Sequence, residues 1–164
     1  MPLRDWLAAL VVITAWGLNF VVIKIGLSEF PPLLMGALRF TLVAIPAVFF
    51  IKPPALPWRT VVLYGATISL GQFVFLFAAI YVGMPAGLAS VVLQSQAFFT
   101  TLIAAVFLGE RIRRHNVVGL LVAALGLVLI QQGAVAGTLS LTGFLMTLAA
   151  GLSWAIGNIV TKGV

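Results

Sequence analysis

Residues 60–109 read TVVLYGATISLGQFVFLFAAIYVGMPAGLASVVLQSQAFFTTLIAAVFLG, fifty residues without a charged side chain. About 20 residues of helix cross the hydrocarbon of a bilayer, so this stretch is long enough for two crossings and a reversal. The reversal is visible at Val82-Gly83-Met84-Pro85, where a glycine ends one helix and a proline opens the next. Working outward, a second uncharged stretch runs 46 residues from Asn116 to Thr161. Its polar, glycine-rich middle, Gln131-Gln132-Gly133 and then Gly137-Thr138-Leu139-Ser140, marks another reversal. Toward the N-terminus, Trp6–Ile23 gives 18 uncharged residues, and Leu33–Ile51 gives 19 with Arg39 as the only charge. The expected fold is an all-α integral membrane protein of six transmembrane helices, over roughly 6–25, 33–51, 60–81, 85–108, 116–131 and 141–161. The loop before the third helix, Lys52-Pro53-Pro54-Ala55-Leu56-Pro57, is proline-rich and stiff.

Composition agrees. The 164 residues are 63% hydrophobic and 7% charged, against roughly 45–50% and about 25% in soluble domains. So few charges cannot cover a water-facing surface, which excludes soluble-enzyme, disordered and nucleic-acid-binding classes. A membrane β-barrel needs alternating strands of about 10 residues; these runs are apolar all round and too long. The net charge of +6 comes from Lys and Arg in the loops, so no nucleic-acid partner is expected. With no cysteine and one histidine, His115, neither a disulfide nor a histidine metal cluster can form. No cofactor, metal or catalytic residue is expected: there is no nucleophile–base pair and no phosphate loop. A cleaved signal peptide is not expected either, because the first apolar run exceeds the roughly 7–15 residues of such a segment and no A-x-A site follows.

Charge counting sets the orientation. With the N-terminus cytoplasmic, the inner segments hold Arg4, Lys52, Arg59, Arg111, Arg113, Arg114 and Lys162, seven in all, and the outer loops hold Lys24 alone. Positive residues collect on the cytoplasmic side, so both termini are expected inside. The first and last helices also resemble one another. One reads Ala15-Trp16-Gly17-Leu18-Asn19-Phe20 with Lys24 following; the other reads Ser153-Trp154-Ala155-Ile156-Gly157-Asn158-Ile159 with Lys162 following. Trp16 and Trp154 lie 138 positions apart, an interval of five crossings. An odd number of crossings inverts the next copy, and inverted repeats are a recurring transporter architecture.

These residues carry a family resemblance. Trp16-Gly17-x-Asn19-Phe20-x-x-x-Lys24, Pro31-Pro32 with Arg39-Phe40, Gly83-Met84-Pro85-Ala86-Gly87-Leu88-Ala89-Ser90, Gln94-Ser95-Gln96-Ala97-Phe98-Phe99-Thr100 and Gly109-Glu110-Arg111 cover nearly the whole chain. It resembles the EamA family of the drug/metabolite transporter superfamily, and within it the branch of O-acetylserine/cysteine exporters. The chain departs from the wider family at Ala97, where a proline is usual. The resemblance implies ten helices in two inverted halves. Residues 1–137 would be the first five-helix repeat and 138–164 the first helix of a truncated second repeat. A second half or a dimer partner would then complete the fold.

Polar groups within lipid are costly unless paired or facing a cavity, so each is a candidate. Arg39 is the single charge inside a helix. It lies about 9 Å from the outer end at 1.5 Å per residue. It either snorkels to headgroups or pairs with Glu29, or it holds a solute carboxylate through its forked donors. Gln72 shares a face with Ser69 and Gly65, and Gln94 with Ser90, Ala97 and Thr101. Gln96 is turned about 200° from Gln94 at 3.6 residues per turn, so one of the two bridges helices instead of facing a cavity. Such amides serve either as interhelical glue or as neutral contacts for an amino-acid-like solute. Asn19 lies one turn from Trp16, which reads as packing. Gly119, Ala123 and Gly126 place small residues on one face of the fifth helix, read as close helix packing. Pro46 reads as a kink, and Glu110 with Arg111, Arg113 and Arg114 as a salt-bridged cytoplasmic anchor. Asp5, Glu29 and Glu110 all fall near helix ends or in loops, so no carboxylate relay through the bilayer is available in this segment.

The candidate substrate-binding residues are Asn19, Arg39, Gln72, Gln94 and Asn158. The expected function is export of small amino-acid metabolites, cysteine- or O-acetylserine-like, across a bacterial inner membrane by alternating access. The alternatives are a drug or other solute exporter of the same fold, or a half-transporter without independent activity. The partners are a small amino-acid-like solute and the lipid bilayer. The orientation is directly testable: a reporter active only in the periplasm stays silent when fused to either terminus, and activity at either end overturns the charge-based topology.

Overall fold

A computed structural model describes residues 2–135, 137 and 139–162. Six helices in it are long and apolar enough to cross a membrane. They are α1 (Leu3–Glu29), α2 (Pro32–Phe50), α3 (Trp58–Tyr81), α4 (Ala86–Phe107), α5 (Arg114–Val135) and α6 (Leu141–Lys162). No strand occurs among the described residues. The boundary expected between residues 137 and 138 touches Thr138, which lies outside the described residues, as do Met1, Gly163 and Val164 at the ends of the two expected units.

Proline and glycine set the helix ends. Lys24 does not stop α1. The helix continues to Glu29 and gives way at Phe30, whose extended backbone precedes Pro31 and Pro32. Pro32 then occupies the first turn of α2, where its missing N–H costs nothing. Pro46 lies inside α2 without ending it. Between α3 and α4, Gly83 takes φ +101°, a backbone conformation that side chains disfavour. The amide of Met84 reaches back to the Ala79 carbonyl at 3.0 Å, which closes the end of α3 as a Schellman-type cap. One expected reversal shifts. Gln131, Gln132 and Gly133 stay helical, and α5 runs on to Val135. Two glutamines at an interface do not break a helix, since their propensity for it is good.

Two of the long helices are irregular in ways the sequence does not announce. α3 is α-helical to Tyr64, widens to a π-helix over Gly65–Gly71, then returns to α over Gln72–Tyr81. α4 breaks at Gln94, which separates Ala86–Leu93 from Ser95–Phe107. There the amides of Gln94 and Ala97 bond three residues back, to Val91 and Gln94, instead of four. One helix is locally loosened and its neighbour locally tightened.

Both irregularities face α6, the most buried of the six. Its buried side is dominated by small residues, with Gly143, Thr147, Ala150, Gly151, Ala155 and Gly157 packed against α3 and α4. A Cβ at Gly143 would sit 3.0 Å from the Ala79 carbonyl oxygen and 3.2 Å from the Met84 amide nitrogen. One at Gly151 would sit 3.3 Å from the Gln96 nitrogen and 3.4 Å from the Leu93 oxygen. Helices in lipid associate through such backbone approach, because lipid tails remove the hydrophobic driving force between them. Ile23 of α1, Leu76 and Phe77 of α3, Met84, Val92 of α4 and Phe144 of α6 form the apolar centre. The outer faces of α1, α2 and α5 expose Leu, Val and Phe side chains, as lipid requires.

The small-residue face of α5 behaves otherwise than expected. A Cβ at Gly119 or Gly126 would meet nothing within 4 Å. With Ala123 these glycines line a groove of about 590 Å³ beside α4, so in this chain the face is open and not closely packed. A stability contrast follows. Gly143→Ala forces backbone atoms apart and should cost about 1–3 kcal/mol, lowering the thermal midpoint of the detergent-solubilised chain. Gly119→Ala should lower it not at all. Equal losses would contradict the packing described for α6.

Candidate functional site

Cradled among α1, α2, α3, α4 and α6 is a cavity of about 440 Å³. Asn19, Arg39, Gln72, Gln94 and Asn158 all line it, so the structure brings together the five polar residues that depth and polarity single out in the sequence. Around them stand Trp16, Tyr64, Phe73 and Trp154, with Ser90 and several aliphatic side chains. The rings of Trp16 and Trp154 meet with centroids 6.0 Å apart at a tilt of 53°. The tryptophans of the two similar stretches are thus neighbours, and both belong to the cavity wall and not to helix packing alone.

Arg39 does not reach Glu29. Its Nη1 donates to Asn19 Oδ1 at 2.8 Å, and its guanidinium carbon lies 4.5 Å from the centre of the Phe73 ring. Glu29 sits exposed at the end of α1, while Arg39 points inward across α1 and α3. The hydrogen bond satisfies one donor of five, and the charge lies over an aromatic face in a cation–π contact. Phe73 is itself held edge-on by Phe40 at 5.2 Å and Phe77 at 5.5 Å. Among the described residues, no carboxylate lines this cavity, and Arg39 is the only charge that does.

The amides divide as the helical geometry demands. Gln94 faces the cavity, whereas Gln96 accepts a hydrogen bond from Asn158 Nδ2 at 2.9 Å and ties α4 to α6. Asn158 Nδ2 also donates to Thr100 Oγ1 at 3.2 Å. Gln72 is buried, yet its amide finds no side-chain partner among the described residues, and neither does that of Gln94. Two such amides at the wall of the cavity can donate or accept toward a solute.

The wide turn of α3 shapes one side of this wall. The Thr67 carbonyl accepts the Gln72 amide in the π-helix, and Ser153 Oγ of α6 donates to the same oxygen at 2.8 Å. The extra residue in the turn carries Tyr64, Ile68 and Gln72 to the cavity from three successive turns. Sequence reasoning misses this element and the aromatic lining contributed by Tyr64 and Phe73. The only local signals are the flanking Gly65 and Gly71 and the back-bonding Thr67. At the helix ends, Lys162 Nζ pairs with Glu110 at 2.8 Å. This anchors the α4–α5 loop to the end of α6 instead of to the neighbouring arginines. Both side chains are about half exposed, so the pair is worth little in energy but fixes which ends lie on one face.

Removal of the Ser153 hydroxyl should act locally. Ser153→Ala is expected to cost about 1 kcal/mol, roughly a fivefold faster amide exchange across residues 65–71. Exchange in α1 and α2 should not change. Unchanged protection at 65–71 would show that the wide turn stands without α6.

Residues 5–132 match the EamA-like transporter family. A "probable amino-acid metabolite efflux pump" of Salmonella typhimurium and another of Escherichia coli K12 are each 50% identical over 165 residues, covering 100% of this chain and 55% of the relative. An "uncharacterized inner membrane transporter YedA" of Escherichia coli K12 is 29% identical, covering 97% of this chain and 53% of the relative. The chain therefore spans about half the length of the curated relatives it matches. No solved structure matches it.

Proposed function

The chain belongs to the EamA-like transporter family, and on that premise we propose that it forms the first half of an inner-membrane exporter of small amino-acid metabolites. Family membership makes it a multi-pass transporter chain and not an enzyme. The finer reading rests on one observation above all: a cavity that, among the described residues, carries a single charge, Arg39, is ringed by amides and aromatics and has no carboxylate. That composition suits a small solute with one carboxylate and neutral polar groups, such as cysteine or O-acetylserine. The relatives' name as amino-acid metabolite efflux pumps points to the same class.

The cavity wall is built from α1, α2, α3 and α4 and from α6, whose Trp154 and Asn158 resemble Trp16 and Asn19 of α1. Rocking one repeat against the other would open such a site alternately to the two sides. Orientation with both termini cytoplasmic is supported by the seven-to-one distribution of positive residues and by the Lys162–Glu110 pair, which holds the end of α6 beside the α4–α5 loop. The second half, or a partner chain, would supply the facing wall.

Export of cysteine from cells that express the 164-residue chain and lack their own exporters tests the reading. Rescue of cysteine tolerance identifies a self-sufficient exporter; good membrane insertion without rescue identifies a half that needs a partner. In vesicles carrying an active form, unlabelled cysteine or O-acetylserine should compete for uptake, and absence of competition would assign the fold to a different solute. Arg39→Lys keeps the charge and loses the fork. It should reduce uptake by roughly tenfold or more if the carboxylate is held bidentately, whereas wild-type uptake with lysine would remove that role.

A further inference from the structure

We propose that Gln96 and Thr100, which do not line the cavity, give it a fixed polarity: a donor pole at Asn19 and Arg39, and an acceptor pole at Asn158. The inference rests on the reading of this cavity as an amino-acid site and adds how the amino acid is oriented within it.

The argument is one of proton accounting. Thr100 has a single hydroxyl proton, and its Oγ1 donates it to the Gln96 carbonyl at 2.7 Å. Toward Asn158 that oxygen can only accept. The atom of Asn158 that lies 3.2 Å from it must then be the NH2 nitrogen, whichever way the amide might otherwise be turned. The same nitrogen meets Gln96 at 2.9 Å, so Gln96 must present its carbonyl oxygen there. Both protons of Asn158 Nδ2 are spent on α4. What remains for the cavity is Oδ1, an acceptor that meets no donor among the described residues.

Asn19 is wired the opposite way. Arginine has donors and no acceptor, so the atom facing Arg39 Nη1 at 2.8 Å must be Asn19 Oδ1. Asn19 is left with its NH2 group, beside the remaining guanidinium donors. Asn19, three residues after Trp16, and Asn158, four residues after Trp154, therefore offer opposite chemistry to the same cavity. A zwitterion fits this one way round. Its carboxylate takes the donors of Arg39 and Asn19, and its ammonium group takes Asn158 Oδ1. No carboxylate stands in the wall among the described residues, so a cation meets that oriented neutral acceptor, with the faces of Trp16 and Trp154 and the freely turning amides of Gln72 and Gln94 as further contacts.

The test uses the 164-residue chain in proteoliposomes, with binding of radiolabelled cysteine displaced by cysteine, by 3-mercaptopropionate, which lacks the amine, and by cysteamine, which lacks the carboxylate. Wild type should prefer cysteine to either fragment by roughly tenfold, the weight of one charge-assisted hydrogen bond. Gln96→Leu together with Thr100→Val removes both acceptors that hold Nδ2 and frees the Asn158 amide to turn, so cysteine should fall toward 3-mercaptopropionate while 3-mercaptopropionate itself holds. Gln96→Glu still accepts from Nδ2 and should keep the wild-type order. Arg39→Gln should do the converse, lowering cysteine and 3-mercaptopropionate and sparing cysteamine. Equal weakening of all three probes by the Gln96→Leu, Thr100→Val pair, or an unchanged preference for cysteine in it, would overturn the polarity with cysteine binding intact. Absence of saturable cysteine binding in wild type would overturn the functional reading together with it.

Discussion

The whole arrangement hangs on how closely α6 can lie against the backbones of α3 and α4. Gly143, Gly151 and Gly157 remove the side chains that would keep it at ordinary interhelical distance. Once α6 is seated, Ser153 reaches the Thr67 carbonyl, Asn158 reaches Gln96 and Thr100, and Trp154 meets Trp16. None of these contacts survives a displacement of the helix by the width of a methyl group. Dispersion between backbones is weak per atom but sums along the interface, and it is the term available to helices solvated by lipid. Packing therefore comes first, and the polar contacts follow from it.

Polar groups constrain the arrangement in the second place. In hydrocarbon an unpaired amide or guanidinium is expensive, so each must find a partner within the bundle or a wet surface. Arg39 and Asn19 meet one another, as do Asn158, Gln96 and Thr100. Planar amides cannot be satisfied from one side alone. Pairing one end leaves the other directed elsewhere, and here it is directed to the cavity. The wall is polar there because helix pairing leaves it so. Gln72 and Gln94, without such partners, are the amides with most freedom to follow a solute.

How far the sequence reveals this depends on the range of the signal. Charge-free runs and the Val82-Gly83-Met84-Pro85 break are local, and they place six helices to within a few residues of where the structure has them. Depth and polarity select Asn19, Arg39, Gln72, Gln94 and Asn158, and the cavity is lined by all five. The 100° step of a helix separates Gln94 from Gln96 correctly. What stays hidden depends on neighbours. Gly65 and Gly71 are compatible with a straight helix, and the wide turn between them is settled by contact with α6. Arg39 has a carboxylate ten positions away in Glu29, but the partner it meets is an amide on the same helix as that carboxylate. Gly119, Ala123 and Gly126 form the small-residue pattern of a packed interface. The pattern is a property of α5, whereas packing is a property of a pair, and in this chain the face borders a groove.

The likeness of α1 and α6 shows why residue identity alone underdetermines a site of this kind. Trp16, Asn19 and Lys24 resemble Trp154, Asn158 and Lys162, and residue type alone would have both helices offer the same groups to a solute. The difference is made by neighbours outside the repeated signature. Arg39 can only donate and so takes the oxygen of one asparagine. Thr100, its proton committed to a backbone carbonyl, can only accept and so takes the nitrogen of the other. A change at 39, 96 or 100 could turn a donor pole into an acceptor pole while both asparagines stay in place. Relatives that share the Trp and Asn signature but differ at those three positions should therefore differ in which end of a solute they hold. Specificity in such a site is carried by the partners of its amides as much as by the amides themselves.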